Sequence, residues 1–326
     1  MKTIMKTRIA ITGGAGFLGR HLVNLLAKNK KYEIVLLARS ITKYSKYFRN
    51  YSHISFHKGD LLNPDSLEGF LTKDTILINL AYLKSDPSGN LNATNNLVKV
   101  ANEANVSQVI HCSTAVVVGF SSIKFVDEST PLKPKGIYQI NKAVIEKLFN
   151  HNLITGISLK IIRPTEIIGV GSRSVIHKMI DKLNAPSIFH QFYNFLLSNR
   201  RFNLVSVHNV SSAIEFLLNK NIKSTRNIYL ISDDDDIDNN YKNIINIIST
   251  YMDSNSSIFL KFGLPIYLLE YIFLVFNRHS PPNRIYSNDS ILQLGFKPTV
   301  SIAQATKEIL SFTLNTRKGA FINEDT

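Results

Sequence analysis

The sequence predicts an α/β fold: a doubly wound parallel sheet with a smaller, mainly helical C-terminal lobe interleaved with it. Three observations predict it. First, the apolar run Ile9-Ala10-Ile11 leads through Thr12 into Gly13-Gly14-Ala15-Gly16-Phe17-Leu18-Gly19, and helical apolar spacing follows at Leu22, Val23, Leu25 and Leu26. Second, short apolar runs recur at 33–38, 54–57, 75–81, 108–112 and 158–162, with amphipathic helices at 92–104 and 138–150. Third, the alternation weakens beyond Gly169 and Gly171, where 173–200 and 233–326 read as mainly helical. Residues 203–232 return a strand, a helix and a strand. The expected division is therefore 1–172 plus 201–232 as a Rossmann domain, and 173–200 plus 233–326 as a substrate-binding lobe.

The glycine loop is the first element with chemistry attached. Gly13, Gly16 and Gly19 are spaced so that the chain turns tightly, the backbone approaches a ligand closely, and the helix packs against the sheet. The N–H groups at Phe17 and Leu18, with the positive end of the helix dipole, suit a pyrophosphate. An ordinary glycine turn is the plain alternative, and its place between a strand and a helix argues against that. The next strand ends at Ala38-Arg39-Ser40. An acidic residue there would bond the ribose hydroxyls of NAD, whereas Arg39, with Lys43 nearby, suits a 2′-phosphate. NADP is favoured and NAD stays possible. Asp60 and Leu61 end the third strand at the adenine edge, although Asp60 could instead cap a helix beginning near Pro64. Leu80 and Ala81 end the fourth strand over the same cleft.

Composition narrows the setting. The chain has 326 residues, 44% hydrophobic and 19% charged, which fits a globular protein. Its single cysteine, Cys112, excludes an internal disulfide and suits a reducing, cytoplasmic setting. The basic opening MKTIMKTR lacks an apolar signal core, so secretion is not expected. The net charge of +14 is scattered, without a basic run interleaved with aromatics. Nucleic acid is therefore not an expected partner, and a basic surface tolerant of phosphorylated ligands is. Four consecutive aspartates, Asp233 to Asp236, could bind a cation, but such a run after a strand reads rather as a solvated loop, and no metal site is expected. The apolar stretch 258–276 contains Lys261, Pro265 and Glu270, so it reads as a buried helix of the second lobe, with peripheral membrane contact as the alternative.

Tyr138 and Lys142 lie four apart on one predicted helix and share a face. A phenol has a pKa near ~10, and an ammonium within about 4–6 Å lowers it. Such a tyrosine can exchange a proton with an alcohol or carbonyl. A solvated helix face is the plain alternative for a lone Y-x-x-x-K pair, but here Thr114 ends the preceding strand.

With these residues in place the chain resembles the extended short-chain dehydrogenase/reductase family, the NAD(P)-dependent nucleotide-sugar epimerases, dehydratases and reductases. The resemblance runs from the glycine loop through Gly59-Asp60-Leu61, Asn79-Leu80-Ala81, Thr114 with Gly119, Tyr138/Lys142 and Arg163-Pro164 to Leu294-Gly295-Phe296-Lys297-Pro298. It implies that Tyr138 is the acid/base, that Lys142 lowers its pKa and holds the nicotinamide ribose, and that Thr114 bonds the reacting oxygen. It places Arg163 and Pro164 among the cofactor-binding residues. Arg201, with a one-residue offset, and Arg284 resemble positions that clamp the nucleotide diphosphate of a nucleotide-sugar substrate. Glu166 stands where an asparagine usually contacts substrate, and could bind sugar hydroxyls, serve as a second base, or simply face solvent or pair with an arginine. Ala115-Val116 replace the Asp-Glu pair of the dehydratases, so elimination of water is not expected. A 4-keto reduction in surface-polysaccharide sugar biosynthesis is the favoured expectation. A 4-epimerase with retained NAD, or a reductase of an apolar, steroid-like ketone, are the alternatives. The intact Thr114, Tyr138 and Lys142 disfavour a non-enzymatic, cofactor-sensing role. A homodimer is expected from the resemblance alone.

Overall fold

A computed structural model gives the fold and describes residues 6–119, 121–184, 188–220, 226–252, 263–276 and 281–324. In chain order the first elements are β1 (Thr7–Thr12), α1 (Phe17–Leu26), β2 (Tyr32–Ala38), α2 (Ile41–Ser45), β3 (Ile54–Lys58), β4 (Ile76–Asn79), α3 (Gly89–Glu103), β5 (Gln108–Cys112), β6 (Phe125–Val126), α4 (Ile137–Asn152) and β7 (Ser158–Pro164). There follow β8 (Glu166–Ile168), α5 (Val175–Asn184), α6 (Ile188–Leu197), β9 (Leu204–Ser206), α7 (Val207–Asn219), β10 (Arg226–Ile231), α8 (Tyr241–Tyr251), α9 (Ile266–Val275), β11 (Ile285–Tyr286), α10 (Asp289–Gln293) and α11 (Ile302–Glu324).

Ile9, Ala10, Ile11, Leu77, Val109 and Ile110 are fully buried, as strands covered on both faces require. They belong to a seven-stranded sheet in the order β10-β7-β5-β4-β1-β2-β3, parallel from β7 through to β3. The order reverses between β1 and β4. The carboxyl ends of those strands, Thr12 and Asn79, are register partners, so the glycine loop and Leu80-Ala81 share the switch point where such sheets bind ligands. Leu97, Val98 and Ala101 of α3 and Ile145 and Phe149 of α4 pack with Leu77, Val109 and Leu159 in one core.

The chain forms two compact units: 1–119, 131–164 and 211–229 in the first, and 120–130, 165–210 and 230–326 in the second. The division differs from the expected one at 120–130, 165–172, 201–210 and 230–232. One reason is visible at β9, which pairs with β8 in a separate two-stranded sheet rather than joining the large one. The second unit has its own core, where Ile176, Met179 and Ile180 of α5 meet Ile244 and Ile248 of α8 and Ile302, Ala305 and Ile309 of α11.

Three local expectations are corrected. Asp60 does not cap the turn after Pro64, whose N-cap is Asn63; its Oδ1 accepts from the Leu62 N–H at 3.0 Å. The run Asp233–Asp236 is not a solvated loop throughout, because Asp233 and Asp234 are buried. The stretch 258–276 is not a buried helix where it is described; 258–262 lie outside the described residues. There α9 buries only Leu269 fully, since α5, α8 and α11 already fill the core it meets. A helix apolar on every side carries no signal for which face turns inward.

Candidate active site

The glycine loop is built by contacts that leave no room for side chains. Gly13 takes φ +72, and a Cβ on it would lie 2.8 Å from the Ala81 nitrogen and 2.9 Å from the Leu80 carbonyl carbon. A Cβ on Gly19 would lie 2.3 Å from the Gly13 oxygen, so only glycine lets α1 sit on the loop. Gly16 is the N-cap of α1, with no side-chain cap and no acidic residue in the first turn. The first helical bond runs from the Arg20 N–H to the Gly16 oxygen, which leaves the N–H groups of Phe17, Leu18 and Gly19 ahead of the ladder. Arg39 follows β2 and is exposed, Asp60 is half-buried, and Leu61 is buried in the core rather than presented to a ligand.

Beyond β5, Thr114 caps the short turn Ala115–Val118, its hydroxyl accepting from the Val116 N–H at 3.4 Å. The Thr114 side chain also lies beside the Tyr138 phenol and favours its ionised form. Lys142, one turn further along α4, is buried and donates its Nζ to the Cys112 carbonyl at 2.8 Å. Sequence spacing thus finds its counterpart in one cluster at the ends of β5 and α4. Ala115 and Val116 bring no proton-transferring group beside it.

The electrostatics depart from expectation. Burial pushes the Tyr138 phenol up to about 12, the neighbouring Cys112 and Tyr82 push the same way, and the Thr114 side chain opposes. Lys142 has its own pKa lowered by burial, with Cys112 and Glu146 opposing. The expected lowering of the phenol by Lys142 is absent, because the ammonium is turned to the Cys112 carbonyl and to Tyr82. Tyr82 is the residue that sequence reasoning missed. Its ring meets Tyr138 edge-to-face at 5.0 Å between centroids, and Lys142 Nζ lies 5.1 Å from its centroid. The available signal was its place directly after Asn79-Leu80-Ala81, on a strand end already assigned to the cleft.

A polar chain runs beneath. The Thr12 hydroxyl donates to Asn79 Oδ1 at 2.5 Å, and Asn79 Nδ2 lies 3.1 Å from His111 Nδ1. Burial, with Lys142 adding to it, holds His111 well below the usual histidine value, so the ring is neutral and Nδ1 accepts. Arg163, expected at the cofactor, is instead buried in a two-pronged ion pair: Nε and Nη2 donate to Glu146 Oε1 and Oε2 at 3.1 and 2.7 Å. A buried guanidinium needs a carboxylate, and α4 supplies one. Pro164 closes β7 and is buried.

The residues expected at the substrate lie in the second unit. Glu166 is exposed, and its Oε1 accepts from the Val175 N–H at the start of α5, so one oxygen is spent on a helix terminus. Arg201 donates Nη1 to the Asp234 carbonyl at 2.7 Å and lines a polar cavity of about 610 Å³ with Asp236 and Lys242. Arg284 is buried; its guanidinium donates to the carbonyls of Ser121 and Ile123, and its ring neighbour is Tyr286. Its donors are thus engaged within its own unit, which is not the open clamp expected of it. Among the described residues no group of acidic, histidine or cysteine side chains could hold a metal ion.

The profile of the NAD dependent epimerase/dehydratase family matches residues 9–232, from the start of the glycine loop to the end of β10. The chain belongs to that family. It is similar to the GDP-6-deoxy-D-talose 4-dehydrogenase of Aggregatibacter actinomycetemcomitans, 29% identical over 177 residues, 50% of this chain and 54% of that protein. It is also similar to the decarboxylating sterol-4-alpha-carboxylate 3-dehydrogenase of Saccharomyces cerevisiae, 28% identical over 185 residues, 52% of this chain and 53% of that one. The chain thus spans about half the length of these curated relatives. The Bordetella bronchiseptica enzyme WbmG, solved with NAD and UDP, shares the fold at TM-score 0.72 and 16% identity, over 95% of this chain and 96% of its own. The dTDP-glucose 4,6-dehydratase of Bacillus anthracis, solved with NAD, does so at TM-score 0.71 and 17% identity, over 96% and 98%.

The residues of the first unit fit the family's cofactor. The side-chain-free loop and uncapped N–H groups of α1 suit a pyrophosphate, and Lys142 keeps ammonium donors beyond the one given to Cys112.

Proposed function

We propose that this chain reduces a keto group at C4 of a nucleotide-linked sugar, with Gly13, Gly16, Phe17, Leu18 and Gly19 holding the cofactor. A nicotinamide dinucleotide supplies the hydride in such chemistry. Thr114 orients the reacting oxygen, Tyr138 gives it a proton, and Lys142 holds the cofactor's ribose. The observation that carries this reading is that Tyr138 stands beside the Thr114 side chain, with Lys142 buried one turn further along the same helix. A phenol held above its ordinary value is protonated at neutral pH and serves as the proton donor that carbonyl reduction needs.

Two further points support this direction. Exposed Arg39 after β2 suits the 2′-phosphate of NADPH, the form consumed by reductases. The similarity to a GDP-6-deoxy-D-talose 4-dehydrogenase supports oxidoreduction at C4 over elimination.

The test is incubation of the purified protein with 4-keto nucleotide sugars and NADPH or NADH, followed by the absorbance of the reduced nicotinamide. We expect net consumption, faster with NADPH. Turnover of the sugar without consumption would replace reduction by epimerisation. In Tyr138→Phe, cofactor binding persists while turnover falls by roughly 10²-fold or more; retained turnover would remove Tyr138 from the chemistry.

A further inference from the structure

One layer of the large sheet departs from its apolar surroundings. Thr12 of β1, Asn79 of β4 and His111 of β5 are register partners across three adjacent parallel strands, and all three are buried. They form a polar rung: the Thr12 hydroxyl donates to Asn79 Oδ1 at 2.5 Å, and Asn79 Nδ2 donates to His111 Nδ1 at 3.1 Å. The next partner along is Ile161 of β7, which is apolar. The rung therefore stops at β5.

It spans the three strands whose following residues frame the dinucleotide seat. The Thr12 hydroxyl, directly before Gly13, also accepts from the Ala81 N–H at 3.4 Å, where Gly13 and Ala81 leave no room for a side chain. His111 directly precedes Cys112, whose carbonyl takes the Lys142 ammonium at 2.8 Å.

His111 is a costly residue to keep there. Its ring lies against Phe149 with centroids 4.9 Å apart, a contact that phenylalanine would make as well. Among the described residues its Nε2 is buried without a hydrogen-bond partner. A half-satisfied imidazole in an apolar core costs stability that a hydrocarbon ring would not. What histidine adds is one acceptor. Burial and the nearby Lys142 keep the ring neutral, so Nδ1 takes the Asn79 amide and Oδ1 of that amide is left facing Thr12.

We propose that His111 is a positioning residue for the dinucleotide: through Asn79 and Thr12 it sets the glycine loop at one height against Ala81 and the Cys112 carbonyl. This role rests on the reading of 13–19 as the cofactor seat, and is independent of which sugar is reduced.

Two substitutions separate the acceptor from the ring. His111→Phe keeps the ring and loses the acceptor; His111→Asn keeps an acceptor near the place of Nδ1 and leaves a cavity on Phe149. Affinity for NADH and NADPH is read by fluorescence titration and stability by thermal denaturation, and neither needs turnover. His111→Phe should weaken dinucleotide binding roughly tenfold, and His111→Asn should stay within about threefold of wild type, because affinity follows the one hydrogen bond. Stability should run the other way, with His111→Asn the lower-melting of the two. In wild type labelled with nitrogen-15 histidine, NADH should shift the His111 Nδ1 signal, assigned by its loss in His111→Asn. Affinities that track melting temperature, or an unmoved Nδ1 signal in a protein that binds NADH, would overturn the role of His111 and leave the loop reading standing. A wild-type protein that binds neither dinucleotide would overturn the loop reading, and this role with it.

Discussion

At the residue scale, Tyr82 decides how Tyr138, the proposed proton donor, is held. Its ring stands against both Tyr138 and Lys142, so the ammonium rests on an aromatic face instead of on the phenol oxygen. Tyr82→Phe keeps that face and should leave turnover within about twofold. Tyr82→Leu removes it and should lower kcat by roughly tenfold, a modest part of the 10²–10⁴ that acid–base catalysis contributes. It should leave KM nearly unchanged and move the limb of the pH–rate profile that reports Tyr138; an unmoved profile would reduce Tyr82 to packing. The trio Thr114, Tyr138 and Lys142 was legible in the sequence because helix geometry puts residues four apart on one face. Tyr82 was not, because its contacts join two elements distant in sequence. Arg163 was misassigned for the same reason: the Arg-Pro pair is visible, and the Glu146 carboxylate it needs is visible only once α4 lies on β7.

At the element scale, the junction of β1 and α1 tolerates no side chain at Gly19. The atoms a Cβ would strike, the Gly13 oxygen at 2.3 Å and the Gly14 carbonyl carbon at 2.7 Å, are backbone and cannot swing aside. Gly19→Ala should therefore push α1 off the loop. We expect a loss of about 1–3 kcal/mol of stability, as in other overpacked sites, and at least a tenfold loss in dinucleotide affinity. Thermal denaturation and cofactor fluorescence titration measure the two. An unchanged affinity would mean that the α1 terminus does not meet the pyrophosphate. The strands of the sheet were readable as apolar runs because both of their faces are covered. Helix α9 was not, since its composition is equally apolar on the side that meets the core and on the side that meets water.

At the scale of the whole molecule, we expect the buried groups with the largest shifts to make the two units respond to pH in opposite senses. In the second, burial pushes Asp233 up to about 7 and Asp234 up to about 6, against the N–H donors of Ser206, Asn209 and Tyr286. The native state then holds more protons than the unfolded chain from about pH 4 upward. Stability of this unit falls as pH rises through that window to about 7. In the first unit, buried His111 stays neutral below the pH, about 6.5, at which an unfolded histidine takes a proton. Lys160, with Nζ on the carbonyls of Leu217 and Lys220, is brought down to about 8 by burial. Both bind fewer protons in the native state, so this unit gains stability as pH rises. Hydrogen exchange, corrected for intrinsic rate, should show Val109 and Ile110 better protected at about pH 8, and Ile244 and Ile248 better protected at about pH 5. Parallel movement of both sets would refute the opposition.

The sequence by itself determined the glycine loop, the parallel strands that carry it, and the grouping of Thr114, Tyr138 and Lys142 proposed as the acid/base trio. Each depends on neighbours a few residues away, through turn sterics, strand burial and helical periodicity. The tertiary structure alone decided which arginines are buried against a carboxylate or backbone carbonyls, as Arg163 and Arg284 are, and which acidic residues are buried, as Asp233 and Asp234 are. It alone turned α9 outward. These outcomes depend on what a distant segment supplies to desolvate or to satisfy a side chain, and no local pattern encodes that partner.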